Sequence, residues 1–143
     1  MGRVINTNNP GKRRNHFMRT IAELLRRLSQ KPKVDNEVKD MVAMIVFCLR
    51  GIEDTIEESV QAWEKRGYWK KADDFHQKWW WASRMSADVK KLAVEEQWDQ
   101  MPEMMVKLFP YFSDIQINKM TRNESMWDGC YEQLMEEKQK PLS

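Results

Sequence analysis

The sequence predicts an all-α fold, a single-domain antiparallel helical bundle of about four main helices plus one or two short ones, and three observations carry that prediction. Between Val38 and Trp63 the residues Met41, Val42, Ile45, Val46, Leu49, Ile52, Ile56 and Val60 recur at steps of three and four, the spacing of one helix face. Glycine and proline number only five each, while Leu, Met, Glu, Lys, Arg and Gln are plentiful, which favours helix over sheet. No stretch shows the sustained two-residue alternation of a half-buried sheet; only Ser113 to Asn118 alternates, and a lone strand has no partner.

The elements follow in order. Residues 1–11 lack a hydrophobic period and read as an extended or disordered lead, with the bundle domain expected over 12–143. Asn9, Pro10 and Gly11 form a turn or helix-start signal. A helix from about Lys12 to Gln30 carries the stripe Phe17, Ile21, Leu24, Leu25 and Leu28 and stops before Pro32. Asp35 or Asn36 caps the central helix, which runs to about Arg66 and ends at Gly67. From Met41 to Leu49 that helix is apolar at every position and needs cover on nearly all sides; beyond Gly51, Asp54, Glu57 and Glu58 turn one face to water.

The short connection at Gly67 predicts a helix folding back from Tyr68 to about Arg84. Its wide aromatic face combines Tyr68, Ala72, Phe75 and Trp79 with a second line of Trp69, His76 and Trp80. Trp81 falls on the far side, among Lys70, Asp74 and Lys78, where an exposed indole stacks on a base or fills a partner's pocket unless a later element covers it. Ser86 with Asp88 marks a further helix to about Gln97, and Pro102 opens a short one to Phe109. Met101, Met104 and Met105 suit an irregular contact or a soft binding surface. Ser113 to Asn118 reads as an extended connection, and Glu124 to about Lys138 as a closing helix with Trp127, Cys130, Tyr131 and Leu134 inward.

Charge is unevenly placed. Residues 1–33 hold nine Lys or Arg against the single acid Glu23, a local charge of +8, whereas the remainder, with 15 basic and 21 acidic residues, carries −6. Lys12, Arg19 and Arg26 fall in one narrow sector opposite the apolar stripe of their helix. Such a division calls for an anionic partner or for a basic segment lying on an acidic body.

Motifs for chemistry are missing: there is no phosphate-binding glycine loop, no zinc-protease signature and no paired-cysteine spacing. Asp73 and His76, with Glu53 and Glu57, offer one acid-x-x-His pair where a dinuclear carboxylate site needs two. No catalytic residue, cofactor, metal or small-molecule ligand is predicted. Cys48 and Cys130 read as buried thiols, and a soluble, cytoplasmic protein without a membrane span or signal segment is expected.

Function is therefore expected to be non-enzymatic. The leading expectation is a nucleic-acid-associated protein or ribonucleoprotein accessory subunit that contacts RNA or DNA phosphates through Lys12, Arg13, Arg14, Arg19, Arg26 and Arg27, with Trp81 as a stacking platform. The alternative is a protein-interaction or assembly module, as a homo-oligomer or complex subunit, without nucleic acid. A metal enzyme built on the bundle core is the minor reading.

Overall fold

The computed structural model describes residues 9–139, and every regular element among them is helical. α1 spans Pro10–Leu28, α2 Asn36–Lys65, α3 Trp69–Val94, α4 Met101–Leu108 and α5 Cys130–Gln139. Single 3₁₀ turns lie at Trp98–Gln100, Phe109–Tyr111 and Glu124–Met126. Of the lead expected over residues 1–11, residues 1–8 lie outside the described residues, as does the stop at Pro141, while Pro10 and Gly11 are already helical.

Local chemistry sets the helix starts. The Asn9 side chain accepts a hydrogen bond from the Lys12 amide at 3.1 Å, and Pro10 occupies the first helical turn, where no amide donor is needed. α1 therefore begins two residues before the Lys12 start that the sequence suggested. Asp35 caps α2 by accepting from the Val38 amide at 2.8 Å. α2 ends at Gly67, whose φ of +80° is the left-handed conformation that a side chain resists.

Two further boundaries differ from expectation. Ser86 does not start a new helix: α3 runs unbroken to Val94, because the buried line Ala82, Met85, Ser86, Val89 and Ala93 continues through it and no residue there breaks the turn. α5 begins only at Cys130, after Gly129 at φ +82°, so Glu124–Met126 is a separate turn. The Asp40 carboxylate of α2 accepts from the amides of Gly129 (3.2 Å) and Tyr131 (2.9 Å), placing an anion at the positive end of α5.

Helix directions follow from the contacts. Arg14 near the start of α1 reaches Thr55 and Ser59 late in α2, while Arg27 near its end meets Glu37 at the start of α2, so the two helices run in opposite directions. α3 returns along α2 from the Trp63–Phe75 contact to Trp98, just beyond its end, which lies by Lys39. α5 runs with α2, from Asp40 to the Arg50–Glu137 ion pair.

The apolar run of α2 sits at the centre. Met41, Val42, Ala43, Ile45, Val46, Cys48 and Leu49 are buried beneath Ile21, Leu24 and Leu25 of α1, Val89 and Ala93 of α3, and Trp127, Cys130 and Leu134 around α5. Ala72 and Ala82 keep α3 close to α2. Both cysteines are buried and free, and burial, then neighbouring Cys130, pushes the Cys48 thiol up to about 12. Among the described residues no helix is long and apolar enough to cross a membrane.

Gly51 has a specific packing role. A Cβ there would lie 2.5 Å from the Phe17 ring, so the missing side chain lets that ring lie against the α2 backbone. Alanine at a helix interior position gains about 1 kcal/mol over glycine, whereas overpacking costs about 1–3 kcal/mol. Gly51→Ala is therefore expected to stabilise the Phe17→Ala variant and not the native chain. A double-mutant cycle by urea denaturation should return a coupling of at least about 1 kcal/mol; additivity within about 0.3 kcal/mol would refute the contact.

Candidate interaction site

Of the six cations expected to contact phosphates, five are engaged within the chain. Arg13 forms an ion pair with Glu58, which the sequence left as open surface. The Arg14 guanidinium donates to the Thr55 hydroxyl (3.1 Å), the Thr55 carbonyl (3.3 Å) and the Ser59 hydroxyl (2.8 Å). Its planar face lies 4.8 Å from the Phe75 centroid and 5.5 Å from that of Trp79. Arg27 bridges Glu37 and Glu124 above the Trp127 ring. Lys31, a further cation of the basic segment, joins Asp35 at 2.7 Å and Glu37 at 3.0 Å.

Arg19 and Arg26 hold the connection before α5. Arg19 donates to the carbonyls of Gln116 (3.3 Å) and Lys119 (2.7 Å), and Arg26 donates to that of Ile117. An irregular segment has carbonyls without helical partners, and these two side chains satisfy them. Lys12 is exposed, with no described partner for its ammonium group.

Glu23, the one acid of the basic segment, is the centre of this tie. Its buried carboxylate accepts from the Thr121 amide (2.7 Å), the Thr121 hydroxyl (2.6 Å), the Arg122 amide (2.8 Å) and Arg19 (2.7 Å). Burial pushes the group up, but the hydrogen bonds from Thr121, Arg19 and the Arg122 amide outweigh it and bring its pKa down from 4.5 to about 2. Arg122 also donates to Thr20 (3.0 Å) and faces His16 Nδ1 at 2.9 Å; burial and then that cation lower the histidine pKa. Nothing in the local sequence marks Glu23 as buried, since its partners lie about a hundred residues away in sequence.

The aromatic residues are also redistributed. Trp81 is half-buried, stacked on Tyr111 with centroids 4.2 Å apart and planes at 9°, and Phe112 meets it edge-on at 5.6 Å. The exposed platform expected at Trp81 is thus covered by the turn after α4, which a helical wheel of α3 does not include. Of the aromatic face expected on α3, the second line stays largely outside, with Trp69 64 % exposed and Trp80 54 %, and Tyr68 at the start of the first line is 50 % exposed. Ala72, Phe75 and Trp79 already fill the contact with α2, so the second line falls at its edge.

Two clefts bear on the expected sites. One, of about 290 Å³, lies between α2 and α3 and is lined by Glu53, Asp54, Glu57, His76, Trp79 and Trp80 with Ile56 and Ser83. Burial pushes the Glu53 carboxyl up, against a hydrogen bond from Ser83, and the charge of Asp54 adds to the rise. The cleft thus brings Glu53, Glu57 and His76 of the suggested metal set together, yet among the described residues no three His, Cys, Asp or Glu are placed to hold a metal ion. Asp73 accepts instead from Gln77. The other cleft, of about 320 Å³, is apolar and lies between α1, the start of α2 and α4, with Leu25, Val38, Met101, Met105 and Phe109 among its walls.

Comparison with protein families, curated proteins and solved structures returns no match.

The lowered pKa of Glu23 has a measurable consequence. Because its folded value lies below the unfolded one, the stabilisation is complete above about pH 4.5 and is lost as pH falls toward about 2. The shift corresponds to about 3 kcal/mol. Glu23→Gln is expected to lower stability at pH 7 by about 2–4 kcal/mol and to flatten the acid limb of the denaturation profile. An unchanged slope between about pH 4.5 and 2 would show that this carboxylate does not carry the tie.

Proposed function

We propose that the chain is a non-enzymatic protein-interaction module, a docking or assembly subunit, whose basic helix acts as an internal brace. The observation that carries this reading is the exchange of roles on the surface: five of the six cations expected to meet phosphates have partners within the chain, while large aromatic and apolar side chains face water. Arg13, Arg27 and Lys31 pair with acids of the later chain, which favours the second of the two arrangements that the charge division allows.

Two flanks carry the exposed apolar groups. Tyr68, Trp69 and Trp80 lie on or at the start of α3; Val34 and Phe109 line the apolar cleft by α4, and Val106 is exposed on α4 itself. Aromatic residues dominate protein contacts because they bury large area with little loss of side-chain freedom, and methionine walls adapt to the shape of what they meet. A nucleic-acid role is the second reading, favoured by Lys12, Arg26 and Lys33, which are exposed on or just beyond α1.

A photo-crosslinking residue placed singly at Trp69, Val106 and, as control, Glu132 tests the choice in the native cell. Discrete protein adducts at Trp69 or Val106 and none at Glu132 are expected. In an electrophoretic assay the full chain should give no salt-sensitive shift of RNA or duplex DNA. Nuclease-sensitive adducts, or a shift abolished by Lys12→Glu with Lys33→Glu, would overturn the proposal in favour of phosphate binding.

A further inference from the structure

The cleft between α2 and α3 has a chemistry of its own. Its walls combine three carboxylates, from Glu53, Asp54 and Glu57, with the rings of Trp79, Trp80 and His76, and among the described residues no Lys or Arg lines it. Arg50, which acts on the Glu53 charge, is bound bidentately to Glu137 at 2.9 and 2.8 Å. Glu57 accepts only a long hydrogen bond from Gln61, at 3.4 Å, and Asp54 has no hydrogen bond or ion pair among the described residues. α5 packs along α2 from Asp40 to Arg50, and among the described residues it ends at Gln139.

At three places along α2 an arginine sits where aromatic rings and polar acceptors meet, and Lys39 lies over Trp98 and Tyr131. Arg14 lies over Phe75 and Trp79 while donating to Thr55 and Ser59; Arg27 lies over Trp127 while bridging two glutamates; Arg50 lies over Phe47 while holding Glu137. In each case the flat guanidinium uses its faces for the ring and its edges for oxygen, a combination that the compact ammonium of lysine reproduces less well. Trp80, 54 % exposed and tilted at 58° to His76, has the ring without the cation.

We propose that this cleft is a binding site for an arginine side chain presented by a basic segment of a partner protein, the guanidinium lying on Trp80 with Glu53 and Glu57 as its counter-charges. The occupant is fixed by charge complementarity: a cleft with three acids and no base repels phosphate and acidic peptides and accepts a cation with a flat hydrophobic face. It rests on the reading of the chain as a protein-docking module and specifies the chemistry of one of its surfaces.

The test uses the full chain and a synthetic peptide of arginines separated by glycine and serine, with lysine and glutamate versions of the same peptide. Saturable calorimetric binding of the arginine peptide is expected, with the Trp80 indole N–H signal moving in nitrogen-proton correlation spectra. Glu53→Gln with Glu57→Gln should weaken binding by at least about tenfold, and Trp80→Ala by a similar factor. Glu103→Gln with Glu132→Gln, an equal charge change on exposed residues elsewhere, should leave affinity within about twofold. The lysine peptide should bind more weakly and the glutamate peptide not at all. Trp80→Phe, which keeps a ring, should restore part of the loss and separates a ring contact from a folding defect. The proposal falls if the arginine peptide does not bind, if both glutamine pairs weaken it equally, or if an RNA homopolymer moves the Trp80 signal as the peptide does. Because the peptide reads the cleft directly, its failure leaves the crosslinking result at Trp69 and Val106 standing, and failure of the crosslinking leaves the peptide result standing.

Discussion

An apolar run of nine residues on a helix leaves water nowhere to stand. From Met41 to Leu49 every direction around α2 carries a hydrophobic group, and removing that surface from solvent requires neighbours on all sides. α1, α3 and α5 each supply part of the cover. The later half of α2 makes a smaller demand: Ile52, Ile56 and Val60 need one buried side, so α1 and α3 suffice and the acids at 53, 54 and 57 are left at the rim. The open cleft is thus a by-product of where the hydrophobic demand of the central helix ends.

Arginine performs most of the polar work of holding the cover in place. It donates to carbonyls of the segment before α5, to hydroxyls on α2 and to carboxylates at three helix ends or turns, and it stacks on aromatic rings while doing so. A guanidinium retains its charge over the whole working pH range and loses less hydration free energy than an ammonium on partial burial, which suits it to these half-buried positions. The charge asymmetry of the sequence is then largely a record of internal pairing: a basic helix with almost no acid of its own must find its acids and carbonyls in later parts of the chain.

Periodicity, caps and the glycine stop at position 67 made the helical class, the limits of α1 to within two residues, those of α2 to within one and the return at the elbow legible in the sequence, because each is decided within a few residues. The unbroken α3 was less legible, since a serine followed by an aspartate two residues on has the same local form at a helix start and inside one; burial of Ser86 decides it. The candidate site was the least legible part. A wheel of α3 separates two aromatic lines and places Trp81 apart, but it does not contain Tyr111 or Phe112, which cover Trp81, nor the crowding at Phe75 and Trp79 that leaves Trp80 outside. Likewise the wheel of α1 shows three cations in register without showing the carbonyls of residues 117 and 119 that receive two of them. Long-range pairing is the information that one helix at a time does not hold.

The tie between Glu23 and residues 121 and 122 joins groups 98 and 99 residues apart in the chain. A ribosome makes proteins from the amino end, so α1 emerges well before the groups that saturate it. During that interval Arg19 and Arg26 lack their carbonyls and Glu23 lacks its three donors from Thr121 and Arg122, which leaves a strongly cationic segment without its internal partners. The same side chains that brace the finished protein are, for the length of one translation event, a transient polyelectrolyte, and completion of the segment before α5 is the step that retires it.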